Sequence, residues 1–350
     1  GGGRCNLRPL PQSDHGGRTL LEFIAKRIVT MAFMILALSF VCFFIIQLPP
    51  GDVFTAYAAE ITATGDANAA EMVEQLRQRY GLDQPFIVQY MKWLRNLLSG
   101  DLGISFNLGL PVSEVVSSRI GISLLVETLA VVVLWAFAIP IGIYSAVRRY
   151  SIGDMFATVF GFIGLAVPNF MLALLIMYAI YKFNGTAVDG LFSDEYVTAS
   201  WSLARIWDFL QHVWIPVLVI ATGGAAPIIR TLRANLLDEL NKPYVTTARA
   251  KGMAERRLIM RYPVRVAMIP LVSTVGWILP TVISSSIVTA IVLNLPTLSP
   301  VLLRALLSQD MHLAGALILF MGILTLVGTL ISDLLLAWID PRIQKGMTNE

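Results

Sequence analysis

Runs of apolar residues long enough to cross a bilayer decide what this chain can fold into. Ile28 to Leu48 is 21 residues, almost wholly apolar, and about 20 are needed to span the hydrocarbon core as a helix. Four more runs are long, 120–147, 155–181, 268–293 and 313–339, and a fifth, 213–229, is shorter and holds Pro216, Gly223, Gly224 and Pro227. With backbone polar groups denied water, each run must be helical. The expected fold is an all-α membrane protein with six spans. Composition agrees: 56% of residues are hydrophobic and 14% charged, against about 25% charged in soluble domains. A cleaved leader is the rival reading of 28–48, but its apolar core runs to about 7–15 residues, and LPPGD follows this one.

Lysine and arginine set the orientation, because cytoplasmic loops carry them in excess. Segments 1–27, 148–154, 230–265 and 340–350 hold 18 of the 26; segments 49–119, 182–212 and 294–312 hold the other 8. The basic set is therefore expected inside, with both termini. The 49–119 loop is expected outside as a cap between the first two spans. Within it Asn68 to Tyr80 reads as a helix closed by Gly81. A second helix starts at Asp83 and Pro85, with Phe86, Tyr90, Trp93, Leu94, Leu97 and Leu98 apolar. Lying on the membrane face and packing within the cap fit that helix equally.

The long polar, basic stretch is 241–270. Asn241 and Pro243 signal a helix start and Gly252 a stop. Val245, Ala248 and Gly252 share one helical face by their spacing, while Arg249 and Lys251 point elsewhere. A second short helix runs from Ala254 to Tyr262, and Pro263 interrupts it. Neither reaches the roughly 12–15 residues a helix needs to be marginal alone, so the segment is expected to dock on a partner.

Several chemistries are excluded. There is no G-x-x-x-x-G-K-[ST] loop to cradle nucleotide phosphates and no G-x-S-x-G or H-E-x-x-H. His15, His212 and His312 are scattered, Cys5 and Cys42 are the only cysteines, and Cys42 lies inside an apolar run. No enzyme activity, cofactor, metal site, structural disulfide or nucleic-acid partner is expected. Two acids fall in spans, Glu127 and Asp333. Intramembrane acids are functional hypotheses by default, so an ion-coupled transporter or channel using them is the second function class. The bland reading places each near an interface or beside a polar neighbour. Pro140, Gly142, Gly164, Pro168, Pro280 and Ser284, Ser285 and Ser286 interrupt the spans; kinks and hydroxyls can line a polar path, and such residues are also simply common in membrane helices.

Several stretches carry a resemblance. RYGLDQPFIVQYMKWLRNLLSGDLGISF (79–106), GLAVPNFMLALL (164–175), TARAKG (247–252) with ERR (255–257), and ISDLLLAWIDPRI (331–343) resemble the inner-membrane permease subunits of binding-protein-dependent ABC importers. They look like the B-type subunit of the dipeptide/oligopeptide class. The resemblance implies a type I importer permease fold, and pairing with a paralogous permease subunit. It also implies two ATPase subunits that bind the ATP and magnesium, a periplasmic binding protein, and a bacterial inner membrane whose lipid surrounds the spans. It implies that Tyr244, Thr246, Thr247, Ala248, Arg249, Ala250, Lys251, Gly252, Glu255 and Arg256 form the ATPase-coupling loop. Pro168, Asn169, Pro280, Ser284 and Ser285 are candidates for the path. Thr246 stands where the general motif has Glu, and TAIVLNLPTLSP (289–300) lacks the family's acid and glycines there. The solute is thus open among peptides, sugars, opines and metal complexes.

Overall fold

The computed structural model describes residues 16–47, 84–105, 107–185, 189–273 and 287–339. The expected helix 68–80, the path candidates Pro280, Ser284 and Ser285, and the tail 340–350 lie outside the described residues. The helices are α1 (Gly16–Ile46), α2 (Phe86–Leu98), α3 (Val112–Val147), α4 (Ile152–Ala166), α5 (Asn169–Asn184), α6 (Leu203–Leu240), α7 (Pro243–Ala250), α8 (Glu255–Arg261), α9 (Pro263–Ala267), α10 (Ile269–Ser273), α11 (Ile287–Val292), α12 (Leu298–Leu307) and α13 (Met311–Ile339). A two-stranded antiparallel hairpin, β1 (Ile104–Ser105) and β2 (Leu110–Pro111), precedes α3.

Among the described residues four helices are long and apolar enough to cross a membrane, within α1, α3, α6 and α13, and α4 with α5 makes a fifth if counted as one span. The expected single helix over 155–181 is broken. Val167 leaves the helix in an extended conformation and Pro168 caps α5, as the residue before proline is pushed out of the α region. The two halves meet at 102°.

Two helices outrun their apolar runs. α3 starts eight residues before 120, inside the expected outer loop. α6 takes in 203–212 and the first eleven residues of the expected cytoplasmic loop 230–265. The helical period, rather than apolarity, decides these ends: Phe209, Val213, Leu232 and Leu236 recur at one-turn spacing and are all buried. Pro216 and Pro227 sit inside α6 without ending it. Residues 294–312, expected as a loop, hold α12, whose Leu298, Val301, Leu302 and Ala305 are buried on one face. Of the expected span 268–293, the described parts are α10 and α11.

α3 and α6 pack along each other and carry the core, with Val126, Ala130, Leu134 and Ala138 facing Val217, Ile220, Ile228 and Leu232. α1 packs on α13, where Ile46 and Leu38 lie over Gly315 and Gly322, one heptad apart. At the C-terminal end of α1, Phe43 packs with Phe86, Tyr90 and Trp93 of α2, with ring centroids 5.3–5.6 Å apart. The Tyr90 and Ser39 hydroxyls bond at 2.9 Å. Phe86, Tyr90 and Trp93 of α2 are thus packed on α1, while Ile87, Met91 and Leu98 stay exposed. Exposed Ile28, Val29, Phe33, Met155, Phe156, Phe162 and Tyr178 form the broad apolar outer surface that a lipid environment tolerates and water does not.

Candidate coupling site

The site begins where α6 ends. Asn241 closes α6, Lys242 is extended, and Pro243 opens α7 at its first position. There proline's fixed φ suits a helix and its missing N–H costs nothing. Val245 is 0% exposed and Ala248 packs against the core. Two residues of the face that spacing marked, Val245 and Ala248, are therefore turned onto this chain's own core, while Gly252 stays exposed. Ala248 is thus covered from within the chain, and docking on a partner falls to the other faces of the segment. Tyr244, Thr246, Thr247, Arg249, Ala250 and Lys251 remain exposed.

The stop at Gly252 is as expected. Its φ is +74°, in the left-handed region that costs glycine nothing. The turn it allows caps the helix end: Gly252 N–H donates to the Arg249 carbonyl at 2.9 Å and Met253 N–H to the Ala248 carbonyl at 3.3 Å. The chain then reverses into α8, whose Leu258 and Ile259 are buried. Pro263 starts α9 on the flank of α6.

Two polar contacts fasten the turn. Arg249 Nε donates to the Glu255 carboxylate at 3.0 and 3.2 Å, and Nη2 to Oε1 at 2.5 Å. The guanidinium bond holds the Glu255 carboxyl below the usual range and raises Arg249. Tyr244 donates its hydroxyl to Glu239 Oε2 at 2.6 Å, tying α7 to the last turn of α6. Burial, then that bond, raises the phenol pKa, so it stays a neutral donor. The outward arginine and glutamate of the expected coupling set are thus spent on each other. Lys251 and Arg256 are the exposed charges of that set outside this pair.

Of the path candidates, Pro168 and Asn169 sit together at the break between α4 and α5. Asn169 lies against Gly223 of α6, where a Cβ would collide with its side-chain amide. The two span acids have different surroundings. Asp333 Oδ2 lies 3.0 Å from Arg27 Nε of α1, so its charge has a partner. Glu127 is 3% exposed, beside a small cavity with Ser123, Leu298 and Ser299.

Sequence reasoning missed three connections. Asp154, in the first turn of α4, takes Arg233 Nε at 3.1 Å and Nη2 at 3.0 Å, and the Tyr150 N–H at 2.9 Å. Ser151-x-x-Asp154 is a capping-box pattern, and Ser151 does cap Asp154 N–H; the partner Arg233 had no local signal. Asp310 caps α13 through Leu313 N–H and also accepts from Ser105 Oγ at 2.5 Å and Asn107 N–H at 3.2 Å. Ser105 belongs to the GDLGIS stretch, so that stretch is pinned to the start of the last span. Ser123 Oγ accepts the Leu298 N–H at 2.9 Å, seating the first residue of α12 on α3.

A polytopic bundle whose longest helix runs directly into a fastened basic turn can be set beside known proteins. The family described as binding-protein-dependent transport system inner membrane component matches residues 138–345, and its N-terminal membrane component matches 20–110. The chain belongs to this family. It is 32% identical over 326 residues to the oligopeptide transport system permease protein AppB of Bacillus subtilis, covering 93% of this chain and 100% of that protein. It is 29% identical over 341 residues to the dipeptide transport system permease protein DppB of Escherichia coli, covering 93% and 99%. The chain is an inner-membrane permease component of binding-protein-dependent transport. The ion-coupled reading through Glu127 and Asp333 gives way to it.

Proposed function

We propose that this permease imports peptides, or a closely similar small solute, handed over by a periplasmic binding protein. It pairs with a paralogous permease and is driven by two ATPase subunits that bind ATP and magnesium. The reading takes six spans, the cap of residues 49–119 outside and both termini in the cytoplasm. The carrying observation is the α6–α7 unit: a 38-residue helix ends in a turn with its inner face buried at Val245 and its outer face free. Thr246, Thr247, Ala250 and Lys251 on that face are the docking surface. Docking through threonines and alanine needs shape more than charge, which accords with Thr246 where other importers have an acid. Glu255, paired with Arg249, does not replace that acid; it holds the turn.

ATP-driven closure of the ATPase pair then displaces α7 as a rigid piece, and α6 carries the displacement to the Gly223–Asn169 contact at the α4–α5 break. The bundle alternates between outward-open and inward-open states. Nucleotide shifts that balance only by its different affinity for the two. The test is the complex reconstituted in proteoliposomes. ATPase and paralogous permease subunits co-purify with this chain, and peptide-loaded binding protein stimulates ATP hydrolysis and uptake. Uptake by this chain alone, driven by a proton gradient and abolished by Glu127→Gln, overturns the reading.

A further inference from the structure

An open cleft of about 230 Å³ lies between α4 and α6, at the end of the bundle where α3 runs into Arg148 and Arg149. Its wall is apolar for about two turns of α4: Ala157, Gly161, Phe162 and Leu165 face Ala226 and Ile229 of α6. Ala157 to Leu165 spans about 12 Å of helix at 1.5 Å per residue. Ser145, Thr158, Arg230 and Arg233 supply its polar atoms. The charges do not balance. Arg233 spends Nε and Nη2 on Asp154. Arg230 is exposed, and among the described residues no carboxylate pairs with it. Two guanidinium groups against one carboxylate leave one positive charge at the mouth of an apolar trough.

We propose that this cleft is a binding site for the monoanionic phosphodiester of an anionic phospholipid. The headgroup phosphate meets Arg230 and the free edge of Arg233, and an acyl chain lies along the α4–α6 wall. The phosphate oxyanion is the shared chemistry; the apolar wall is what selects a lipid over soluble phosphate or a solute carboxylate. Basic pockets between spans suit such headgroups. A lipid held there bridges α4 to α6 beside the Asp154–Arg233 pair, at the end of α6 that leads into α7. This site does not depend on which solute the permease carries, so its test and the transport test fail separately.

The experiment uses the intact purified importer complex in nanodiscs of phosphatidylcholine with a minority of phosphatidylglycerol. Lipid retained after detergent extraction is measured by mass spectrometry. Arg230→Gln lowers retained phosphatidylglycerol about fivefold, the equivalent of about 1 kcal/mol per basic residue near a lipid surface. Arg230→Lys retains it, which separates charge loss from misfolding. Gly161→Leu fills the wall, leaves both arginines in place and also loses the lipid. Arg265→Gln, at an exposed arginine of α9, does not change retention. An equal loss in Arg265→Gln overturns the site in favour of general surface charge. Displacement by inorganic phosphate assigns a soluble anion instead, and full retention in Gly161→Leu removes the acyl-chain wall.

Discussion

Replacing Gly252 with alanine perturbs the coupling turn through the backbone alone. No heavy atom lies within 4 Å of where the new Cβ would stand, so no contact is lost and no clash is made. What remains is φ +74°, which costs an L-residue with a Cβ roughly 1–2 kcal/mol. That is a factor of about 5–30 between the closed turn and its opened alternatives. Asparagine tolerates the left-handed region better, so Gly252→Asn should cost less, and β-branched Gly252→Val more. The local readout is hydrogen exchange at the Gly252 and Met253 amides, whose bonds to the Arg249 and Ala248 carbonyls close the turn. Exchange there rises about 5–30-fold in Gly252→Ala and is unchanged in the middle of α6. The functional readout is ATP hydrolysis stimulated by loaded binding protein, falling in the order wild type, Asn, Ala, Val; Gly252→Asp uncouples while the protein stays in the membrane. Equal exchange and equal stimulation in the asparagine, alanine and valine variants would refute the reasoning, because it rests on φ and nothing else.

Arg249→Gln and Glu255→Gln should each weaken coupling, and the double variant should be no worse than either single one, since both remove one bond. Because Glu255's pKa is depressed in the folded turn, the pair contributes fully above the ordinary glutamate value of 4.5. It is lost as pH falls through the lowered value, so coupling through this pair is flat across neutral pH and fails only in acid. Asp154→Asn breaks a two-pronged bond to Arg233, which is 29% exposed, and should lower stability by about 2 kcal/mol, read as a lower Tm of the purified complex. Ser105→Ala removes a bond to the buried Asp310 carboxylate and should cost about 1.5–3 kcal/mol, seen as faster proteolysis of the 101–110 segment; unchanged cleavage would count against the pin. Gly223→Ala drives a methyl into the Asn169 amide and should impair transport, with Asn169→Ala restoring it in uptake assays.

Two parts of the coupling segment differ in how far they could be foreseen. Its start at Pro243 and its stop at Gly252 were legible because each rests on one residue's own φ preference, which no neighbour needs to supply. The use of its faces was not. Val245 and Ala248 do share a side, with Gly252 left exposed in the turn beyond it, but periodicity says only that a side is apolar, never what covers it, and the cover of those two proved to be this chain's own core. The same gap explains α12. Leu298, Val301, Leu302 and Ala305 have helical spacing, yet a ten-residue helix depends on α13 and on the Ser123 hydroxyl to hold it.

The amino-acid sequence by itself determined a helical membrane protein, because apolar runs of about twenty residues have no other way to satisfy their backbone in lipid. It also marked the basic segment that matters. Only the tertiary structure decided where α6 stops, that Pro168 breaks its span while Pro140, Pro216 and Pro227 stay inside helices, and which charges meet. Asp154 and Arg233 are 79 residues apart and Ser105 and Asp310 are 205 apart. Local pattern records the repeat of a helix and the torsions of single residues. A polar pair across helices depends on the register in which they pack, and that is set by how Leu134 fits against Gly224, Leu232 against Gly142 and Asn169 against Gly223.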